Sequence, residues 1–108
     1  MATHTLTQAD NGTTVTAQQG DEIIIHLPEN PTTGYRWEAN PLDGSCVQLI
    51  RSDFAPAGQA VPGAGGIRAF TMIAQNTGAT TVEFKNWRSW EGDGSIRSRF
   101  VVSIRVEP

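Results

Sequence analysis

A chain of 108 residues has room for one domain, 1–108, with one modest core, and its net charge of −3 lacks the basic excess of a nucleic-acid binder. Hydrophobic residues make up 38% and charged residues 18%, which is not the composition of a disordered chain, and no apolar run approaches the ~20 residues of a membrane-spanning helix. The lone cysteine, Cys46, excludes an internal disulfide and reads as a small buried apolar residue rather than a reactive thiol.

Residues 1–5 have neither the basic flank nor the apolar stretch of a secretory signal. The chain is therefore expected in the cytoplasm, or in the periplasm or outside the cell if a leader has been removed. From there the hydrophobic period is two, the mark of half-buried strands, and no segment carries a helical pattern. The first predicted strands are residues 3–9 and 13–17, joined by Asp10-Asn11-Gly12, which reads as a type I′ hairpin turn. Residues 22–27 follow, with Ile23, Ile25 and Leu27 on one face and His26 solvated on the other. Residues 35–39 direct Trp37 into the core, and residues 47–53 and 67–75 form two more strands. Within 80–85, Val82 and Phe84 alternate with Thr81, Glu83 and Lys85. In the last strand Phe100, Val102, Ile104 and Val106 oppose Arg97, Arg99, Ser103 and Arg105. Short turns at 19–21, 43–45 and 76–78 punctuate the series. Eight short strands at this length imply an all-β, immunoglobulin-like β-sandwich.

Three connections are too long for simple turns: residues 28–34, 54–66 and 86–94. They follow the third, fifth and seventh strands. If each strand reverses the one before, all three fall at one end of the sandwich, the arrangement by which antibody variable domains gather their binding loops. Long connections in a small domain are usually functional, so the pattern points to a binding module decorated at one end.

Enzyme chemistry is not visible. His4 and His26 sit on predicted strands, and no Cys–His set, Ser–His–Asp set or metal-ligand spacing appears, so no catalytic residue, cofactor or metal is expected. The glycines at 63–66 lack the third glycine of a dinucleotide fingerprint, since Arg68 stands there, and no strand–helix context surrounds them. Asn11-Gly12-Thr13 matches a glycosylation acceptor, but its turn role accounts for it.

The first long loop has a slim, stiff tip, because Pro31 fixes its φ and Thr32 and Thr33 are restricted at χ1. Such a tip loses little entropy on binding, although composition alone describes an ordinary Pro/Gly turn. The second is rich in Gly, Ala and Pro and reads as a linker, with Gly63–Gly66 permitting close backbone approach. The third brings Trp87, Arg88 and Trp90 together, residue types enriched at binding hot spots. Trp87 suits either the core or the contact surface.

Taken together, Asn30, Pro31, Thr32, Thr33, Gly34 and Tyr35, then Gly63, Ala64, Gly65 and Gly66, then Arg88 and Trp90, resemble the chagasin family of cysteine-peptidase inhibitors. Its three loops read N-P-T-T-G-aromatic, G-x-G-G and R-P-W/F, and Ser89 departs from that pattern where proline is usual. The resemblance covers essentially the whole chain. It implies an immunoglobulin-like sandwich and reversible, competitive inhibition of papain-like or cathepsin L-like cysteine proteases, with no part for Cys46. By that resemblance Thr32 and Thr33 would lie beside the protease's catalytic cysteine and histidine, the glycine loop would pair along the substrate groove, and Arg88 and Trp90 would press against the other side. No nucleic acid or membrane partner is expected, and a monomer is, because the motif end must stay free. The competing reading is a binding module for carbohydrate or a surface protein, with Tyr35, Trp87 and Trp90 as a sugar-stacking platform.

Overall fold

The structure, a computed structural model, describes residues 2–40, 42, 46–56 and 65–108. Its strands are β1 (Thr3–Thr7), β2 (Thr14–Gln18), β3 (Glu22–Glu29), β4 (Arg36–Ala39), β5 (Val47–Pro56), β6 (Gly66–Ala74), β7 (Gly78–Trp87) and β8 (Ser98–Glu107). They form two four-stranded sheets, ordered β1-β3-β6-β5 and β2-β8-β7-β4. Apart from four short 3-10 turns, the described residues contain no helix.

The period of two becomes the sandwich interior. Ile23, Ile25 and Leu27 of β3 and Phe70, Met72 and Ala74 of β6 are buried on one side. Val82 and Phe84 of β7 and Phe100, Val102, Ile104 and Val106 of β8 are buried on the other. Phe84 joins the layers, with its ring centroid 4.6 Å from Phe70 and 6.2 Å from Phe100. Trp37 enters this core as expected. Cys46 packs partly against it, with Sγ 3.8 Å from the Thr77 carbonyl oxygen.

The expected hairpin at Asp10-Asn11-Gly12 is corrected by the topology. β1 pairs parallel with β3, and β2 pairs parallel with β8, so the turn passes the chain from one sheet to the other. Asn11 has φ −55° and ψ 129°, only Gly12 is at positive φ (+85°), and Thr13 N–H donates to the Asp10 carbonyl. That is a type II shape rather than I′. The turn is held from outside: Val101 N–H donates to Asn11 Oδ1 at 2.8 Å, and Gly12 N–H donates to the Val101 carbonyl at 2.7 Å. A two-residue I′ turn would instead commit its flanking strands to one ladder.

Asp21, just before β3, ties the start of β1 to the end of β2. Its buried carboxylate accepts the Ala2 amide at 2.9 Å, contacts His4 Nε2 at 2.8 Å and accepts the Gln18 amide at 2.9 Å. These bonds, led by the Ala2 amide, hold the carboxyl far below the usual range. His4 is thus a strand clasp at the end opposite the long connections.

The first two connections are shorter at their bases than the sequence suggested. Antiparallel pairing with β6 continues through Pro28↔Ile67 and Glu29↔Gly66 on one side, and through Phe54↔Arg68 and Pro56↔Gly66 on the other. β1 ends opposite His26, so β3 has become an edge at Pro28, and Pro56 lies on the edge strand β5. Proline is tolerated at such edges. β7 likewise runs to Trp87, and the third connection spans 88–97. The ladder directions send the C-terminal ends of β3 and β5 the same way, and contacts between Arg88 and Thr33 bring the end of β7 to them.

Candidate functional site

The first loop is folded by its own side chains. Asn30 Oδ1 accepts from the Thr32 amide at 3.1 Å and from Thr32 Oγ1 at 2.7 Å. Thr33 Oγ1 donates to the Asn30 carbonyl at 2.8 Å and accepts the Tyr35 amide at 3.3 Å. Short hydroxyl and amide side chains favour such local bonds. With Pro31 opening it, Pro31–Thr33 winds into one 3-10 turn. The threonine hydroxyl protons therefore point inward, leaving slim methyls and oxygen lone pairs for a partner.

Gly34 ends that turn at φ +80°, a conformation that disfavours a side chain. It also lies under Trp90: a Cβ there would stand 2.7 Å from Trp90 Cη2. Trp90 itself is 71% exposed. Tyr35 is covered by two guanidinium groups, Arg88 at 4.5 Å and Arg97 at 4.4 Å from the ring centroid. Arg88 Nε and Nη2 also donate to the Thr33 carbonyl at 3.1 and 3.0 Å, and Nη1 pairs with Glu91 at 3.4 Å. Arg88 thus fastens the third loop to the first. Trp87 is out of phase with buried Val82 and Phe84, on the outward face of β7, with Lys85 Nζ 3.5 Å from the ring centroid.

The third loop is two 3-10 turns, Ser89–Glu91 and Asp93–Ser95, hinged at Gly92 (φ +78°). Ser95 Oγ accepts the Arg88 amide at 3.0 Å and lies 2.7 Å from the Gly92 carbonyl oxygen, closing the loop on itself. Arg88 (φ −103°, ψ 107°) already has the extended backbone that precedes proline, and Ser89 opens a turn, where proline fits. Ser89→Pro is therefore expected to raise unfolding stability by ~0.4–1 kcal/mol in urea denaturation. A loss of stability would show that the Ser89 N–H or its φ matters.

Of the second loop, Gly65 and Gly66 are described, while Gly63 and Ala64 lie outside the described residues. A Cβ on Gly65 would come 3.0 Å from the Glu29 carbonyl oxygen. A Cβ on Gly66 would come 2.3 Å from the Ala55 carbonyl oxygen and 2.7 Å from Phe54 Cζ. Gly66 is needed where β5 and β6 pair, and Gly65 lies tight against the foot of the first loop.

Asn30, Thr32, Thr33, Gly34, Tyr35, Gly65, Gly66, Arg88 and Trp90 thus meet at one end of the sandwich, with the backbone of Pro31 between them. Sequence reasoning missed three residues beneath them: Glu29, Arg68 and Arg97. The first two left a signal. Glu29 is in phase with Ile23, Ile25 and Leu27, and Arg68 with Phe70, Met72 and Ala74, so each places a charge on an apolar strand face. Among the described residues no group of three or more His, Cys, Asp or Glu could hold a metal ion.

Comparison with known proteins agrees with this geometry. The family model described as chagasin family peptidase inhibitor I42 matches residues 16–104. The chain is 29% identical to chagasin of Trypanosoma cruzi over 107 residues, covering 95% of this chain and 97% of that protein. It is 30% identical to amoebiasin-1 of Entamoeba histolytica over 104 residues, covering 94% and 98%. The crystal structure of the cysteine protease inhibitor EhICP2 from Entamoeba histolytica superposes with a TM-score of 0.88 at 26% identity, covering 99% of this chain and 97% of that one. Fold, loop placement and family match converge: this chain belongs to the chagasin family of peptidase inhibitors.

Proposed function

We propose that this protein is a reversible, competitive inhibitor of papain-like cysteine proteases that enters the active-site cleft with its three loops. The observation that carries the reading is the Asn30–Tyr35 tip, slim and already folded by bonds from Asn30 and Thr33 before any partner arrives. A tip of this shape fills a cleft without presenting a bond to cut in an extended conformation, and its preorganisation leaves most of the contact energy as affinity. In this reading Thr32 and Thr33 sit beside the protease's catalytic cysteine and histidine. The stretch at Gly63, Ala64, Gly65 and Gly66 follows one wall of the groove, and Trp90 presses the other. Arg88, engaged with Thr33, acts chiefly by holding Trp90 and the tip together. The chain works by occupancy and performs no chemistry of its own. Cys46 precedes β5, at the end away from the loops, and forms no bond to the enzyme.

The carbohydrate alternative needs open aromatic faces. Tyr35 carries Arg88 and Arg97, and Trp87 carries Lys85, which leaves Trp90 as the exposed ring. That favours the protease reading. Its test is a titration of papain and a cathepsin L-like protease with the purified protein, following a fluorogenic peptide, with trypsin as control. Stoichiometric and reversible loss of cysteine-protease activity is expected, with a standard interface of ~1,600 Å² and nanomolar affinity. Full activity of both cysteine proteases in micromolar folded protein would overturn it.

A further inference from the structure

Beneath the loops lies a charge pair in an apolar setting. The Glu29 side chain is 0% exposed and that of Arg68 is 18% exposed. Glu29 Oε2 accepts from Arg68 Nη2 at 2.8 Å and Nε at 3.2 Å, while Oε1 accepts the Trp37 amide at 2.7 Å. The Trp37 indole N–H donates in turn to the Pro28 carbonyl at 2.8 Å. Arg68 Nη1 reaches Ser52 Oγ at 3.2 Å, and its guanidinium lies over the Phe54 ring at 5.5 Å. One carboxylate therefore touches both feet of the first loop and the strand that leaves the second.

A buried ion pair is weak evidence for stability, because apolar residues of similar volume often serve as well or better. Its position suggests another role. β3 and β4 lie in opposite sheets, so no ladder sets the distance between the two feet of the first loop. Two bonds from Trp37 set it: its amide donates to the Glu29 carboxylate and its indole N–H to the Pro28 carbonyl. The β3–β6 ladder already sets Glu29 against Gly66, and the Arg68 guanidinium steadies the carboxylate between them. We infer that Glu29, steadied by Arg68 and acting through Trp37, is a positioning residue that holds the two feet of the first loop at the spacing a protease cleft requires. This rests on the inhibitory reading above.

The test separates position from stability. In Glu29→Leu/Arg68→Met both charges are replaced by apolar groups of similar size. Unfolding is followed in urea, and Ki, association and dissociation are measured against papain where every variant is fully folded. Val82→Ala, deep in the core and away from the loops, controls for lost stability. The expected result is a rise in Ki of at least ~10-fold, carried by faster dissociation, with Val82→Ala keeping the native Ki. A folded double variant with native Ki would overturn the inference. If the double variant does not fold, Glu29→Met is judged by the same Ki criterion, since it removes the acceptor of the Trp37 amide while Arg68 keeps Ser52 and the Phe54 ring. Failure of the unmodified protein to inhibit would sink the inhibitory reading and this inference with it. Inhibition by the unmodified protein with no effect of the substitutions would sink this inference alone.

Discussion

Trp90→Ala is expected to weaken inhibition of a papain-like protease by at least ~2 kcal/mol, about 30-fold in Ki. Few large apolar side chains are exposed among the described residues, and Trp90, at 71%, is the most open of them. Its ring rests on Gly34 at one edge and is otherwise available. Burying a tryptophan against a partner removes more apolar area than any other single side chain could, and its position is set by the Arg88–Thr33 bonds before binding. Because the ring packs little in the free protein, the urea midpoint should barely move, within about 0.5 kcal/mol of the parent. Inhibition kinetics and denaturation together check this. An unchanged Ki would remove the third loop from the contact surface, and a large stability loss would make Trp90 a packing residue instead.

Gly34→Ala should be the more damaging single methyl. It has two independent effects. The backbone at φ +80° costs an L-residue ~1–2 kcal/mol, which appears as lost stability. The new Cβ, 2.7 Å from Trp90 Cη2 and 3.2 Å from Cζ2, also forces the indole off its seat. The displaced ring then has to be repositioned during binding, so Ki should rise by an amount comparable to Trp90→Ala. The cycle with Trp90→Ala separates the two. Once the indole is gone the methyl meets no ring, so adding Gly34→Ala to Trp90→Ala should change Ki little while stability still falls. Additive losses in Ki would mean that Gly34 shapes the tip independently of Trp90.

The elements themselves were legible because a strand announces itself locally. Alternation at Ile23, Ile25 and Leu27, and at Phe100, Val102, Ile104 and Val106, determines which side chains face inward whatever the neighbours are. Counting reversals was enough to place three loops at one end. The shape of the Asn30–Tyr35 tip was legible because the bonds that make it are local, between Asn30, Thr32 and Thr33. Strand ends were less legible. β3 and β5 run past their expected limits because β6 offers pairing partners up to Gly66, which is information held elsewhere in the chain.

By itself, the sequence determined the period, the order of strands, the end that carries the loops and the chemistry of their tips, all of which depend on neighbours a few residues away. Only the tertiary structure decided which strands share a sheet, and so turned Asp10-Asn11-Gly12 from a hairpin into a crossing between sheets. It alone joined Arg88 to Thr33 across 55 positions and Arg68 to Glu29 across 39. The physical reason is that long-range partners are selected by the packing of two sheets face to face. No local preference of Glu29 or Arg68 records which buried charge it will meet.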